Sequence, residues 1–145
     1  MNLSNFPERL SELIFERGLN ALSFSKEFGC ADTTISEYLK GLHLPTAEMA
    51  VRLADYFNCT VDFLLGIKDE NKATKFKPCP PFSERLPIFC KECNTTRYKI
   101  QQKTGISESN LRYWAQGKCK PSILGIVRIA EKYDVSVDFV LGREI

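Results

Sequence analysis

Apolar residues recur along the chain at helical spacing, in blocks separated by polar caps and glycines. Phe6, Leu10, Leu13 and Ile14 fall at i, i+4, i+7 and i+8, the stripe of an amphipathic helix. The polar pair Ser4-Asn5 precedes it, Pro7 sits in the first turn where a missing N–H costs little, and Gly18 ends it. A second helix is predicted over 21–28, capped by Asn20, with Phe24 and Phe28 inward and Gly29 as its stop. A third is predicted over 32–40, with Ile35, Tyr38 and Leu39 facing the core. A fourth follows Pro45-Thr46 and buries Ala50, Leu53, Ala54 and Phe57, and a short fifth follows the cap Thr60.

The pattern then repeats. Residues 6–66 align with 82–142 at a constant offset of 76, without a gap, and 16 of the 61 positions are identical. The identities include Phe6/Phe82, Arg9/Arg85, Leu10/Leu86, Gly29/Gly105, Gly41/Gly117, Pro45/Pro121 and Ala54/Ala130, and Val61-Asp62-Phe63 returns as Val137-Asp138-Phe139. Glycines, a proline and periodic apolar residues are the positions that define a fold. In the second copy Phe82, Leu86, Phe89 and Cys90 form the first stripe. Leu111, Trp114 and Ala115 form the third, Ile126, Ile129, Ala130 and Tyr133 the fourth, and Thr96, Ser107, Ser122 and Ser136 are the candidate caps. Residues 67–81, IKDENKATKFKPCPP, are polar, carry lysines and end in prolines, which reads as a linker. Fully extended it spans roughly 50 Å. The expected architecture is all-α: two tandem five-helix domains, 1–66 and 82–145, joined by the linker 67–81.

Charge separates the two copies. Hydrophobic content of 43% with 26% charged residues fits a globular protein. The net charge of +2 hides 6 basic and 11 acidic groups in residues 1–70 against 14 basic and 7 acidic in 71–145. Halves of opposite sign are expected to meet different surfaces. The sharpest contrast lies at the paired short helices. Arg97–Pro121 holds six Lys or Arg and one carboxylate, Glu108, whereas Ala21–Pro45 has a net charge of −1. No secretory leader and no apolar run near the ~18 residues of a membrane span is read, so a cytoplasmic protein with reduced thiols is expected, with no membrane partner.

Both copies resemble the lambda-repressor-like, XRE-type helix-turn-helix family of bacterial and phage regulators. The resemblance is carried by Arg9-Leu10, Gly29, Ile35, Tyr38, Gly41, Pro45 and Leu64-Leu65-Gly66. In the second copy it is carried by Arg85-Leu86, Gly105, Leu111, Trp114, Gly117, Pro121 and Val140-Leu141-Gly142. Two positions depart from the family pattern. The Gln that usually opens the second helix is Ala21 in one copy and Arg97 in the other. The Glu that pairs with the first-helix Arg is Leu39 and Ala115, which leaves Asp62 and Asp138 as candidate partners for Arg9 and Arg85.

The resemblance implies that the start of the second helix grips phosphate and that outward residues of the third reach base edges. In the second copy these are Arg97, Glu108, Ser109, Asn110, Arg112 and Tyr113. Arg97 suits a phosphate, Asn110 an adenine, Arg112 a guanine and Glu108 a cytosine N4. Lys118 and Lys120, past the helix end, suit the DNA backbone. Gln101 and Lys103 join the set, with ordinary solvated surface as the competing reading for all of these side chains. In the first copy Thr33, Thr34 and Lys40 are the candidates, and Asp32 and Glu37 would repel phosphate.

Other chemistry is sparse. Cys90-x-x-Cys93 lacks the second ligand pair of a four-ligand zinc site, and Cys90 aligns with the core position Ile14. His43 stands in a turn with no catalytic neighbours, and Trp114 aligns with Tyr38 as a packing residue. No cofactor, metal or enzymatic activity is expected. The sequence thus predicts a transcriptional regulator, such as a repressor, that binds double-stranded DNA mainly through its second domain, as one chain or as a homodimer. The rival is a protein-interaction module, an antirepressor or antitoxin, whose acidic first domain binds a protein partner or dimerises.

Overall fold

The computed structural model describes residues 3–72 and 75–144 and is all-helical, with ten helices among the described residues. Backbone packing divides the chain into two compact units, one comprising residues 3–45 and 49–72, the other 46–48 and 75–144. The first unit contains α1 (Phe6–Glu16), α2 (Ala21–Phe28), α3 (Asp32–Leu39), most of α4 (Ala47–Phe57) and α5 (Val61–Leu64). The second contains α6 (Phe82–Glu92), α7 (Arg97–Thr104), α8 (Glu108–Gln116), α9 (Ile123–Lys132) and α10 (Val137–Leu141). Every helix of the second set starts 76 residues after its counterpart in the first.

In the first unit the predicted stripes face inward. Phe6, Leu10, Leu13, Ile14, Phe24, Ile35, Tyr38, Leu53, Ala54 and Phe57 are buried, and Leu39 is half-buried. Phe24 is the centre of an aromatic cluster, stacked on Phe28 and Phe57 with centroids 5.3 and 5.4 Å away and edge-on to Tyr56. Such pairs add about 0.5–1.5 kcal/mol each beyond the area they bury. Asn20 and Ser23 close a reciprocal capping box at the start of α2. The helix after it has no such help. Ala31 occupies the N-cap of α3 with φ −67° and ψ 142° and offers no side-chain acceptor. Since that backbone geometry already suits a cap, Ala31→Ser is expected to raise the stability of this unit by about 1 kcal/mol. A denaturation midpoint unchanged by the substitution would show that the orphan N–H groups of α3 are satisfied by solvent.

The second unit follows the same plan with better-capped helices. Thr96, Ser107, Ser122 and Ser136 each accept a backbone N–H three residues on, at 3.2, 3.1, 3.1 and 2.9 Å. Phe82, Leu86, Phe89, Leu111, Trp114, Ile126 and Ile129 are buried, while Cys90 and Tyr133 are half-buried. Phe82 meets Trp114 edge-on at 6.1 Å, matching Phe6 and Tyr38 at 5.9 Å in the first unit. In each unit this pair pins the first helix to the third. Trp114 is therefore a packing residue, pressed between Phe82 and the backbone of Gly125, where an added Cβ would lie 2.7 Å from its ring. Pro87 lies inside α6 on the exposed side; it removes the N–H that would bond the Ser83 carbonyl.

The two repeated arginines do not pair with Asp62 and Asp138. Each instead reaches the end of the last helix of its own unit, where carbonyls lack intrahelical partners. Arg9 donates to the carbonyls of Phe63 and Lys68 and lies 4.0 Å over the Phe63 ring. Arg85 donates to the carbonyls of Phe139 and Val140, lies 5.1 Å over the Phe139 ring and pairs with Glu92. Asp138 binds Arg143 instead, at 2.6 Å and fully buried. Gly142 takes φ +83° as the left-handed C-cap of α10, and a Cβ there would meet Arg85 Cδ at 2.8 Å.

Both ends of the predicted linker are attached to the unit they adjoin. The Ile67 and Lys68 amides donate to the Asp62 carbonyl, and Asn71 bonds Thr60 and Asn58. On the other side Phe76 lies 3.7 Å under the Arg143 guanidinium, Lys77 N–H donates to the Arg143 carbonyl at 2.9 Å, and the Cys79 thiol donates to Leu141.

Candidate nucleic-acid interface

The α7–turn–α8 segment owes its shape to four residues. Gly105 takes φ +78°, the left-handed conformation that closes α7, and its N–H returns to the Gln101 carbonyl at 2.8 Å. The Thr104 hydroxyl donates to Ile100 at 2.6 Å and accepts from the Ile106 amide. Ile106 is buried, which anchors the turn, and Ser107 then caps α8. With Leu111 and Trp114 buried against α6 and α7, the outer face of α8 presents Ser109, Asn110, Arg112 and Tyr113.

The predicted contacts occupy three places around this segment. Arg97 is the first residue of α7 and is exposed, beside the unpaired N–H groups of the helix start. Gln101 is half-buried, and Lys103 is exposed with its Nζ 4.6 Å over the Tyr133 ring, so it leans on its own unit. On α8, Ser109 and Asn110 are exposed, while Glu108 and Arg112 form an ion pair with Nη1 to Oε2 at 2.9 Å. Tyr113 lies under two cations, Arg112 at 5.4 Å and Lys118 at 6.0 Å. Lys118 and Lys120 are exposed past the end of α8. Sequence reasoning missed Tyr98, which is 65% exposed beside Arg97 and accepts a hydrogen bond from Gln102 at 2.9 Å. Its signal was an aromatic in the first turn of a helix whose apolar positions lie elsewhere.

The equivalent surface of the first unit has different chemistry. Thr33 is exposed, Thr34 half-buried, and Lys40 exposed at the C-cap of α3. Asp32 is exposed at the start of α3, and Glu37 lies 3.4 Å from His43 Nε2. A duplex approaching α3 would meet two carboxylates and short hydroxyls. None of the six cysteines is in a disulfide, and burial pushes the Cys30, Cys90 and Cys93 thiols up from the ordinary thiol range, which disfavours the thiolate that binds metals. Among the described residues no three His, Cys, Asp or Glu side chains cluster to hold a metal, and no helix is long and apolar enough to cross a membrane.

A family model described as Helix-turn-helix matches residues 12–64, from the second half of α1 to the end of α5. Residues 12–64 carry an XRE-type helix-turn-helix domain. A DNA-binding regulator is the general class of function that this match supports. No curated protein and no solved structure matches the chain. The match ends at residue 64, so the likeness of the second unit to the first rests on the 76-residue offset of its helices and of its aromatic and arginine contacts.

Proposed function

We propose that the chain is a sequence-specific transcriptional regulator with two tandem helix-turn-helix domains, 1–66 and 82–145, the second of which supplies most of the DNA affinity. The observation that carries this reading is the outer face of α8. Exposed Ser109, Asn110 and Tyr113 and half-buried Arg112 lie on it, with Arg97 exposed at the start of the preceding helix and Lys118 and Lys120 exposed past the end of α8. Such a face combines base-edge chemistry with charge for the phosphates on either side. Two domains in one chain, or two chains pairing as a homodimer, would cover two half-sites about 34 Å apart.

The test is a selection with the full chain on randomised duplex DNA at physiological salt, followed by a salt titration on the enriched sequence. Enrichment is expected. If about five phosphates are neutralised, affinity should fall roughly 500-fold between 50 and 200 mM salt. Binding that ignores salt would refute the reading. A second reading is supported by the carboxylates of α3: the first domain recognises a basic protein partner rather than DNA. Enrichment of one short motif by the full chain would favour that division of labour, whereas two spaced motifs would mean that two recognition elements read DNA, through both domains of one chain or through a homodimer.

A further inference from the structure

We infer that Glu108 is a positioning residue that holds Arg112 in the geometry needed to read a guanine, rather than a base-reading residue itself; this rests on the second domain binding DNA. Glu108 is the first residue of α8 and Arg112 the fifth, so the two lie one turn apart on the same face. The carboxylate is favoured where it stands by the positive end of the helix dipole, which makes it a fixed anchor for a long side chain. Arg112 gives one N–H, on Nη1, to Glu108 Oε2 at 2.9 Å. Its guanidinium also lies over the Tyr113 ring, and among the described residues it makes no other hydrogen bond. The Nε–Nη2 edge keeps two parallel donors, the pair that matches O6 and N7 of guanine.

The electrostatic consequence is as important as the geometry. A free arginine on an exposed helix can neutralise any phosphate it reaches, which raises affinity for all sequences alike. Paired with Glu108, the side chain carries little net charge and cannot leave for a phosphate without stranding a carboxylate beside DNA. The pair thus weakens binding to wrong sequences while leaving the guanine-reading edge in place, and specificity is that difference. The first unit has no such device, because Asp32 and Ser36 stand at the corresponding positions.

The experiment uses the full chain with Glu108→Gln, Arg112→Gln and the double substitution, each measured on the selected duplex and on a scrambled duplex of equal length across a salt series. Far-ultraviolet circular dichroism establishes that α8 persists. Glu108→Gln is expected to raise affinity for the scrambled duplex severalfold, to steepen its salt slope by about one, and to cut the selected-to-scrambled ratio by roughly tenfold. Arg112→Gln should erase preference at one G·C pair, and adding Glu108→Gln to it should change nothing further at that pair. Additive losses at two different base pairs would overturn the inference, since Glu108 would then read its own base. An unchanged ratio in Glu108→Gln would overturn it too. Both results leave the DNA-binding reading standing, whereas a wild-type chain that shows no selectivity through the second domain would remove both.

Discussion

Replacing Arg143 with Ala is expected to destabilise the second unit by about 3–5 kcal/mol, enough to unfold much of it in plain buffer. The side chain is fully buried, with Nη1 2.6 Å from the Asp138 carboxylate and the guanidinium 3.7 Å over Phe76. Removing it leaves Asp138, itself 2% exposed, as a buried carboxylate without its cation. It also removes the platform on which Phe76 rests. Trp114 is the single tryptophan of the chain and lies in the second unit, so its fluorescence in a urea titration reports this unit alone. At a slope of about 1 kcal/mol per M for so small a unit, the midpoint should fall by several molar or vanish. Replacing both partners, Asp138→Leu with Arg143→Met, should recover most of the loss, because no uncompensated charge is then left inside. A cost below 1 kcal/mol for Arg143→Ala would mean that water reaches the site and that the pair does not hold the segment before α6.

This pair shows where sequence reading reaches its limit. Periodic apolar residues, capping hydroxyls and stop glycines act over three or four positions, and those local signals located Phe24, Leu53, Trp114 and the four caps of the second unit. Arg143 and Arg85 carry the opposite signal. A hydropathy pattern assigns a charged residue to the surface, yet both are buried, Arg85 because carbonyls at a helix end receive it and Arg143 because the Asp138 carboxylate five residues back does. The partner lies 54 or 55 residues away for Arg85, beyond any local period. The repeat held a usable clue, since Arg9 and Phe63 recur together as Arg85 and Phe139. At the interface, residue types marked Arg112 and Glu108 as separate readers of bases, although their i,i+4 spacing on a predicted helix already allowed the ion pair that the structure shows.

The largest functional effect is expected from Asn110→Ala combined with Arg112→Ala, a loss of roughly 30- to 20,000-fold in affinity for the selected duplex. Each side chain can make one bidentate base contact, worth about 1–3 kcal/mol of discrimination. Neither belongs to the core: Asn110 is exposed and Arg112 half-buried, with Leu111 and Trp114 on the opposite side of the helix. Alanine is also a better helix former than asparagine, so Trp114 fluorescence should report an intact fold. The matched control is Thr34→Ala with Ser36→Ala, at the equivalent positions of α3 in the first unit. It is expected to leave affinity within about threefold, less than one neutral hydrogen bond. The comparison separates two kinds of resemblance. The family match falls on the first unit, where glycines and apolar spacing preserve the helix-turn-helix skeleton. DNA chemistry depends on outward side chains, and those of the second unit are the ones suited to a polyanion. A greater loss from the α3 pair than from the α8 pair would reverse the assignment, placing base recognition in the acidic unit and requiring another source of positive charge against the phosphates.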